Sequence, residues 1–333
     1  MKNLFNIALK AAITLAAFAG LQFVASAQIS QKETSQDQPE FTAINIANDF
    51  DVTLVQGEPE KYNITLTVDE PLSPYLSVRV QGKTLFVSYE EKSVPKEVKK
   101  LYSGRNAPKP VFHAVITLPV LEGITIGNNV VLNSAAAFEG SEKFELNAMD
   151  DAQVKLLTVS ARQAKIVLQK KANAVLNINT ENALEVITEG DSSVGLKSTA
   201  GELVINASGK SKVSATNMSS KVNVAMAGSA QVSVSGPCAT AIVNAEGNSK
   251  LTLSGAGESI SVKSAGKANI DAYGLEVTTA SVDMAGSSQL SVNASESIEL
   301  NLAGGSKLLF GGAPIFKIVK IAKSSVTPYG AGE

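Results

Sequence analysis

The sequence predicts an all-β chain: a right-handed parallel β-helix or β-solenoid of about ten coils of about 19 residues, with an N-terminal β cap. Three observations lead there. A glycine recurs at Gly190, Gly209, Gly228, Gly247, Gly266, Gly286 and Gly304, about every 19 residues. Apolar and polar residues alternate on both sides of it, the period of a strand. The composition is short of bulky and charged residues, with 5% aromatic and 18% charged, and small residues fill the chain instead.

Around each glycine the positions keep their character. Four residues after it stand Val194, Val213, Val232, Leu251, Ile270, Leu290 and Leu308. Four before it stand Val186, Ile205, Val224, Val243, Val262, Val282 and Leu300. Two after it only small residues occur: Ser192, Ser211, Ala230, Ser249, Ala268, Ser288 and Ser306. Each unit therefore reads as strand, tight glycine turn, strand and looser corner, with the glycine supplying a positive φ. A unit this short cannot bury its inner face alone, but stacked units can, with like residue over like. Looser spacing carries the same frame backwards, from Lys171 to Val175, Asp150 to Val154 and Gly127 to Val131. A propeller needs blades of about 40 residues and would not make every unit equivalent. Calcium-binding nonapeptide repeats need a G-G-x-G-x-D pattern that is absent.

The chain divides around these repeats. Residues 1–27 have the form of a secretory signal peptide: Lys2 and Lys10, an apolar run from Ala11 to Val24, and the small-x-small site Ala25-Ser26-Ala27 before Gln28. Residues 28–40 are polar and read as a flexible lead-in. Residues 41–120 fall outside the repeat frame and read as the N-terminal β cap, with strands at Phe41–Gln56, Tyr62–Val68, Leu76–Val80 and Leu85–Tyr89 and a turn at Gln81-Gly82-Lys83. The Lys- and Pro-rich stretch 91–110 reads as a surface loop or short helix. The solenoid proper spans 121–314. Beyond it, Ile315–Ile321 adds a last strand whose Lys317 and Lys320 discourage further pairing, and 323–333 reads as a disordered tail.

Several segments together carry a family likeness. One is Phe41…Ile44-x-Ile46…Asp49-Phe50-Asp51-Val52-Thr53-Leu54-x-Gln56-Gly57. A second is Val115-Ile116-Thr117-Leu118-Pro119-x-Leu121-x-x-Ile124-x-Ile126-Gly127, and the closing Gly312-Ala313-Pro314 completes them. With the glycine-serine repeats, the chain over residues 41–314 resembles the GIN-domain family of auto-transporter adhesin heads (domain of unknown function 2807), common in Bacteroidetes. The resemblance implies a β-solenoid and a role in surface adhesion. Its motifs are structural and not catalytic. No translocator barrel follows the repeats, so the resemblance does not extend to self-export.

Composition excludes several classes of activity. The 29 basic and 31 acidic residues give a net charge of −2, without the basic excess of a nucleic-acid binder. Cys238 is the single cysteine and His113 the single histidine, so neither a disulfide framework nor a histidine metal site is expected, and no cofactor is implied. A carbohydrate-active enzyme on a β-helix would need converging carboxylates. Asp150, Asp151, Asp191, Glu189 and Glu246 are the acids to consider, but turns favour Asp for local hydrogen bonding. Cys238 as a nucleophile would require a histidine partner, and His113 lies far along the frame. The expectation is therefore an exported, non-enzymatic adhesin or surface-interaction protein that meets glycans or cell-envelope proteins in the periplasm, at the cell surface or outside the cell; the alternatives are a polysaccharide lyase or hydrolase on the β-helix and a periplasmic scaffold or binding protein. The repeated outer chemistry is the candidate binding surface: the polar ladder Lys212, Gln231, Lys250, Asn269, Gln289 and Lys307, with a second outward position shared by Asn206, Asn244, Asp283 and Asn301.

Overall fold

A computed structural model describes residues 29–330. Residues 1–27, expected to be a signal peptide, Gln28 and the last three residues lie outside the described residues. The chain is a β-solenoid of about 11 turns. Two parallel sheets run its length, one built from the strands before each corner glycine and one from the strands after it. At the usual strand spacing, that number of coils spans roughly 50 Å.

Register makes the stacking literal. Val186 pairs with Ile205, Ile205 with Val224, Val224 with Val243 and Val243 with Val262. The row continues through Val282 and Leu300, and backwards through Ile166, Leu146 and Ile124 to Ile44 and Leu85. All of these are buried. The companion row from Val194 through Val213, Val232, Leu251, Ile270 and Leu290 to Leu308 is buried as well. Aliphatic side chains that branch near the backbone suit such rows, because each meets its own shape one coil above and below.

The glycine corner has two physical requirements. Gly228 has φ +73° and Gly247 has φ +74°, the left-handed region that side chains resist. The corners also stack on one another: a Cβ on Gly247 would stand 2.7 Å from the carbonyl oxygen of Gly228. Backbone hydrogen bonds climb this column, with Ser229 N donating to Gly209 O at 2.8 Å and Asn248 N to Gly228 O at 2.7 Å. The small residues two positions on, Ser192 to Ser306, are buried in the narrow angle this creates.

The earlier corners lack glycine, and there the frame slips. Asn128, Asn129, Asp150 and Lys170 take the positive φ instead. Asn and Asp tolerate that region. The inward residue after Lys170 is Ala174, which stacks under Val194, while Val175 points out and is 51% exposed. Likewise Leu132 is buried and Val131 lies against Gln153 on the outer side. Both corrections have one cause: counting from Lys171 and Gly127, one residue off the point where the observed frame turns, sends the wrong residue inward. Val154 is buried, as the frame requires.

The first segment is also more than a cap. Strand Ala43–Ala47 lies between Thr84–Tyr89 and Gly123–Gly127, parallel to both. Strand Asp51–Gln56 lies between Phe112–Leu118 and the start of Val131–Ala148. Residues 43–56 thus form a coil of the solenoid, inserted between segments that follow it in the chain. The repeat is hidden because the coils here are not stacked in chain order. True capping is antiparallel. Leu76–Gln81 pairs with Thr84–Tyr89 through the Gly82 turn, and Asn63–Asp69 pairs with Phe112–Leu118. The stretch after it holds a short helix at Lys96–Leu101. Tyr102 follows, its hydroxyl buried, and burial together with the nearby Asp69 carboxylate pushes its pKa up.

Two expectations of disorder are corrected. Within 28–40, Gln31–Asp37 is a strand, antiparallel to Asn63–Asp69 and tied by Asn63 Nδ2 donating to Asp37 Oδ1 at 3.0 Å. Its residues are polar on both faces, so no alternation marked it. At the other end Ser325–Pro328 stacks on Lys307–Gly311, and Tyr329 lies against Tyr273 with ring centroids 3.8 Å apart. Here Lys323 supplies the positive φ and the frame runs one coil further.

Two pairs of substitutions test these assignments by thermal or denaturant unfolding. Val243→Asp should cost about 3–5 kcal/mol by placing an unpaired charge in the row, and Lys250→Asp on the outer wall no more than about 0.5 kcal/mol. Equal losses would mean the inward assignment is wrong. Gly247→Ala should cost about 1–3 kcal/mol, whereas Gly195→Ala, with nothing within 4 Å of its new Cβ, should be neutral or stabilising by up to about 1 kcal/mol.

Candidate interaction surface

The strand that follows each glycine turns its even positions inward and its odd positions out. Because the register between coils holds through the first residues of these strands, before the shifts after Thr252 and Ala272, outward residues there fall into lines. Lys212 pairs with Gln231, Gln231 with Lys250, Lys250 with Asn269, Asn269 with Gln289 and Gln289 with Lys307. The six predicted residues therefore form one continuous line. Five are exposed and Gln289 is half-buried. Beside it runs a line the sequence reading did not single out: Ser214, Ser233, Thr252 and Asp271, all exposed. The period-2 alternation that located the first line extends to this second one two residues on.

Elsewhere on the solenoid some lysines are ion-paired between coils, and others, such as Lys143, Lys197 and Lys263, have no such partner among the described residues. Among the described residues, Lys165 pairs with Glu185 at 3.1 Å and Lys221 with Glu202 at 3.0 Å, both on the opposite sheet. Arg162 lies between Glu142 and Glu181 at an open corner depression. Lys212, Lys250 and Lys307 have no such partner among the described residues. The wall thus presents cationic groups separated by amides and flanked by the hydroxyls of Ser214, Ser233 and Thr252 and the carboxylate of Asp271. Of these, the lysines, amides and hydroxyls can donate hydrogen bonds to an extended ligand.

The second outward position is less uniform. Asn206, Ala225, Asn244, Lys263, Asp283 and Asn301 occupy one line, with Asn301 Nδ2 donating to Asp283 Oδ1 at 2.9 Å. The alanine leaves a shallow open depression of about 320 Å³ between Asn206 and Asn244, rimmed by Glu189 and Glu246.

Of the acids considered for catalysis, Glu189 and Glu246 share the rim of that depression three coils apart, and Asp191 is separated from Asp150 and Asp151 by lysines. Asp150 forms an ion pair with Lys170, and Lys171 stands 3.9 Å from Asp151. Lys171 N donates to Asp150 O and Asp191 N to Lys170 O, so a layer of lysines lies between the two aspartates and Asp191. Glu189 accepts from Gln169 Nε2 at 3.0 Å. Among the described residues no group of three His, Cys, Asp or Glu side chains is placed to hold a metal ion. His113 faces Asp51 at 3.7 Å on the exposed wall near the start of the solenoid. Cys238 is buried in a corner, and burial pushes its thiol pKa up, opposite to the shift a nucleophile needs. No helix among the described residues is long and apolar enough to cross a membrane.

The family model described as "Putative auto-transporter adhesin, head GIN domain" matches residues 40–236 and 203–314. The chain belongs to that family. No curated protein matches it. Among solved structures, a putative lipid binding protein from Parabacteroides distasonis is similar at 15% identity and a TM-score of 0.35, covering 90% of this chain and 96% of its own. A putative adhesin from the same species reaches 14% and 0.34, covering 90% and 97%. A putative adhesin from Bacteroides fragilis reaches 15% and 0.31, covering 90% and 98%. These superpositions are weak, and membership rests on the sequence match.

The burial of Cys238 has a direct readout. In the folded protein a thiol reagent should react with it at least about tenfold more slowly than in denaturant. Comparable rates would place the thiol at the surface.

Proposed function

We propose that this protein is exported and acts without catalysis, as an adhesin whose lysine-amide wall holds an extended glycan at the cell envelope. The observation that carries the reading is the line from Lys212 to Lys307, in register through six coils and free of ion pairing among the described residues. A repeating polymer laid along it meets the same donors again at each coil, about 4.8 Å apart. Each contact is weak, but a repeating ligand engages many at once. Lysines on alternate coils at the start of the line favour a polymer that carries some negative charge. Family membership supports the adhesive role, and the signal-like first 27 residues support export. The pairing of Asp150 and Asp151 with lysines favours binding over the alternative of glycan cleavage.

The test is a panel of charged and neutral polysaccharides, assayed for binding and, separately, for new reducing ends or unsaturated products. Binding of an anionic glycan without turnover is expected. The triple variant Lys212→Ala, Lys250→Ala, Lys307→Ala should weaken it at least about tenfold while the melting temperature stays unchanged. Unaltered binding by the triple variant would remove the wall from the account. Turnover abolished by Asp150→Ala or Asp191→Ala would replace it with an enzyme.

A further inference from the structure

The two ends of the solenoid are finished differently. At the N-terminal end antiparallel strands cover the core, and two of them pair on one side only among the described residues: Gln31–Asp37, polar throughout, and Leu76–Gln81, whose apolar residues are half-buried. At the C-terminal end no described residue covers the last coil. The central row is buried down to Leu300, which is 1% exposed, yet the next member, Ile318, is 63% exposed. Ile315 at 73% and Val319 at 67% lie on the same strand, Ile315–Ala322. Among the described residues that strand pairs on one side only, with Gln289–Ala303. Its other edge carries a row of unpaired backbone donors and acceptors.

The charge of this end is one-sided. Residues 304–330 contain Lys307, Lys317, Lys320 and Lys323 and no acid. On the paired edge Lys317 stands opposite Glu299, within the segment Ser297–Ala303, whose Ile298, Leu300 and Leu302 point inward. The free edge carries the alternation on with one extra residue, Val319, at the register shift that sets Leu300 opposite Ile318 and Asn301 opposite Lys320.

We propose that the C-terminal coil is a docking edge for an extended polypeptide strand of another protein, one alternating apolar residues with acids. Such a strand satisfies the open backbone edge, covers Ile318 and sets its acids against Lys317 and Lys320. A lipid surface would leave the edge unsatisfied in an apolar medium. A second copy pairing through the same strand would bring lysines against lysines, which is unfavourable across strands. The lysines thus disfavour self-association and select the acidic partner. This inference is independent of the glycan-binding wall.

The probe is a labelled synthetic peptide with the sequence of Ser297–Ala303, titrated into the protein at low salt with fluorescence anisotropy as readout. Saturable binding is expected, with hydrogen-exchange protection gained at 315–322. Lys317→Glu with Lys320→Glu should weaken it at least about tenfold, and the Glu299→Lys version of the peptide should bind that variant better than wild type. Both lysines are exposed, so the variant should fold as wild type does, and its melting curve is the control. No saturable binding would overturn the proposal, as would equal affinity for the acidic and basic peptides. So would anionic phosphatidylglycerol vesicles, or a second copy of the chain, protecting 315–322 where the peptide does not.

Discussion

The structure depends on one constraint: each coil must lie in register on the last, so that every inner side chain meets its own kind. The parallel backbone ladder imposes the register, and the corner maintains it. At each later corner a glycine occupies the left-handed region while the glycine of the neighbouring coil comes within a distance no Cβ would allow. Positive φ alone would admit Asn or Asp, as the early corners show at Asn129 and Asp150. Close stacking is what makes glycine the repeated choice further along. The small buried residues two positions on follow from the same narrow angle.

Register also makes the surface. A slip of one residue would exchange the buried valines for the lysine-amide line, so core and wall are specified together. The outer chemistry is consequently spread along a line and not gathered in a cleft. Some charges on the opposite sheet are paired between neighbouring coils, as with Lys165 and Glu185. Lys212, Lys250 and Lys307 have no ion-pair partner among the described residues. An elongated polymer is the ligand shape that such a wall fits.

Much of this was legible in the sequence because the period is strict from Gly190 onward. The inward rows, the small corner row and the outer ladder all follow from positions counted relative to one glycine. Legibility failed where the residue types stopped reporting geometry. Lys170 turns the chain without being a turn residue, and Val175 faces solvent despite being apolar. Gln31–Asp37 pairs through its backbone while both faces are polar. The coil formed by residues 43–56 escaped because its neighbours lie later in the chain, and periodicity along a sequence cannot register stacking out of order. Of the candidate surface, the first line could be read directly. The hydroxyl line beside it and the open C-terminal edge emerged only when register and exposure were known.

The most direct measurement of the stacking is a set of spin-label distances along the wall. Labels at Lys212 paired in turn with Lys250, Asn269, Gln289 and Lys307, in a Cys238→Ser background, would be read by double electron–electron resonance. A solenoid in register predicts separations that grow linearly by about 4.8 Å per coil, reaching roughly 24 Å for the longest pair, after allowance for the label linkers. Distances that rise and fall, or that grow by a blade-like step at every second repeat, would contradict it.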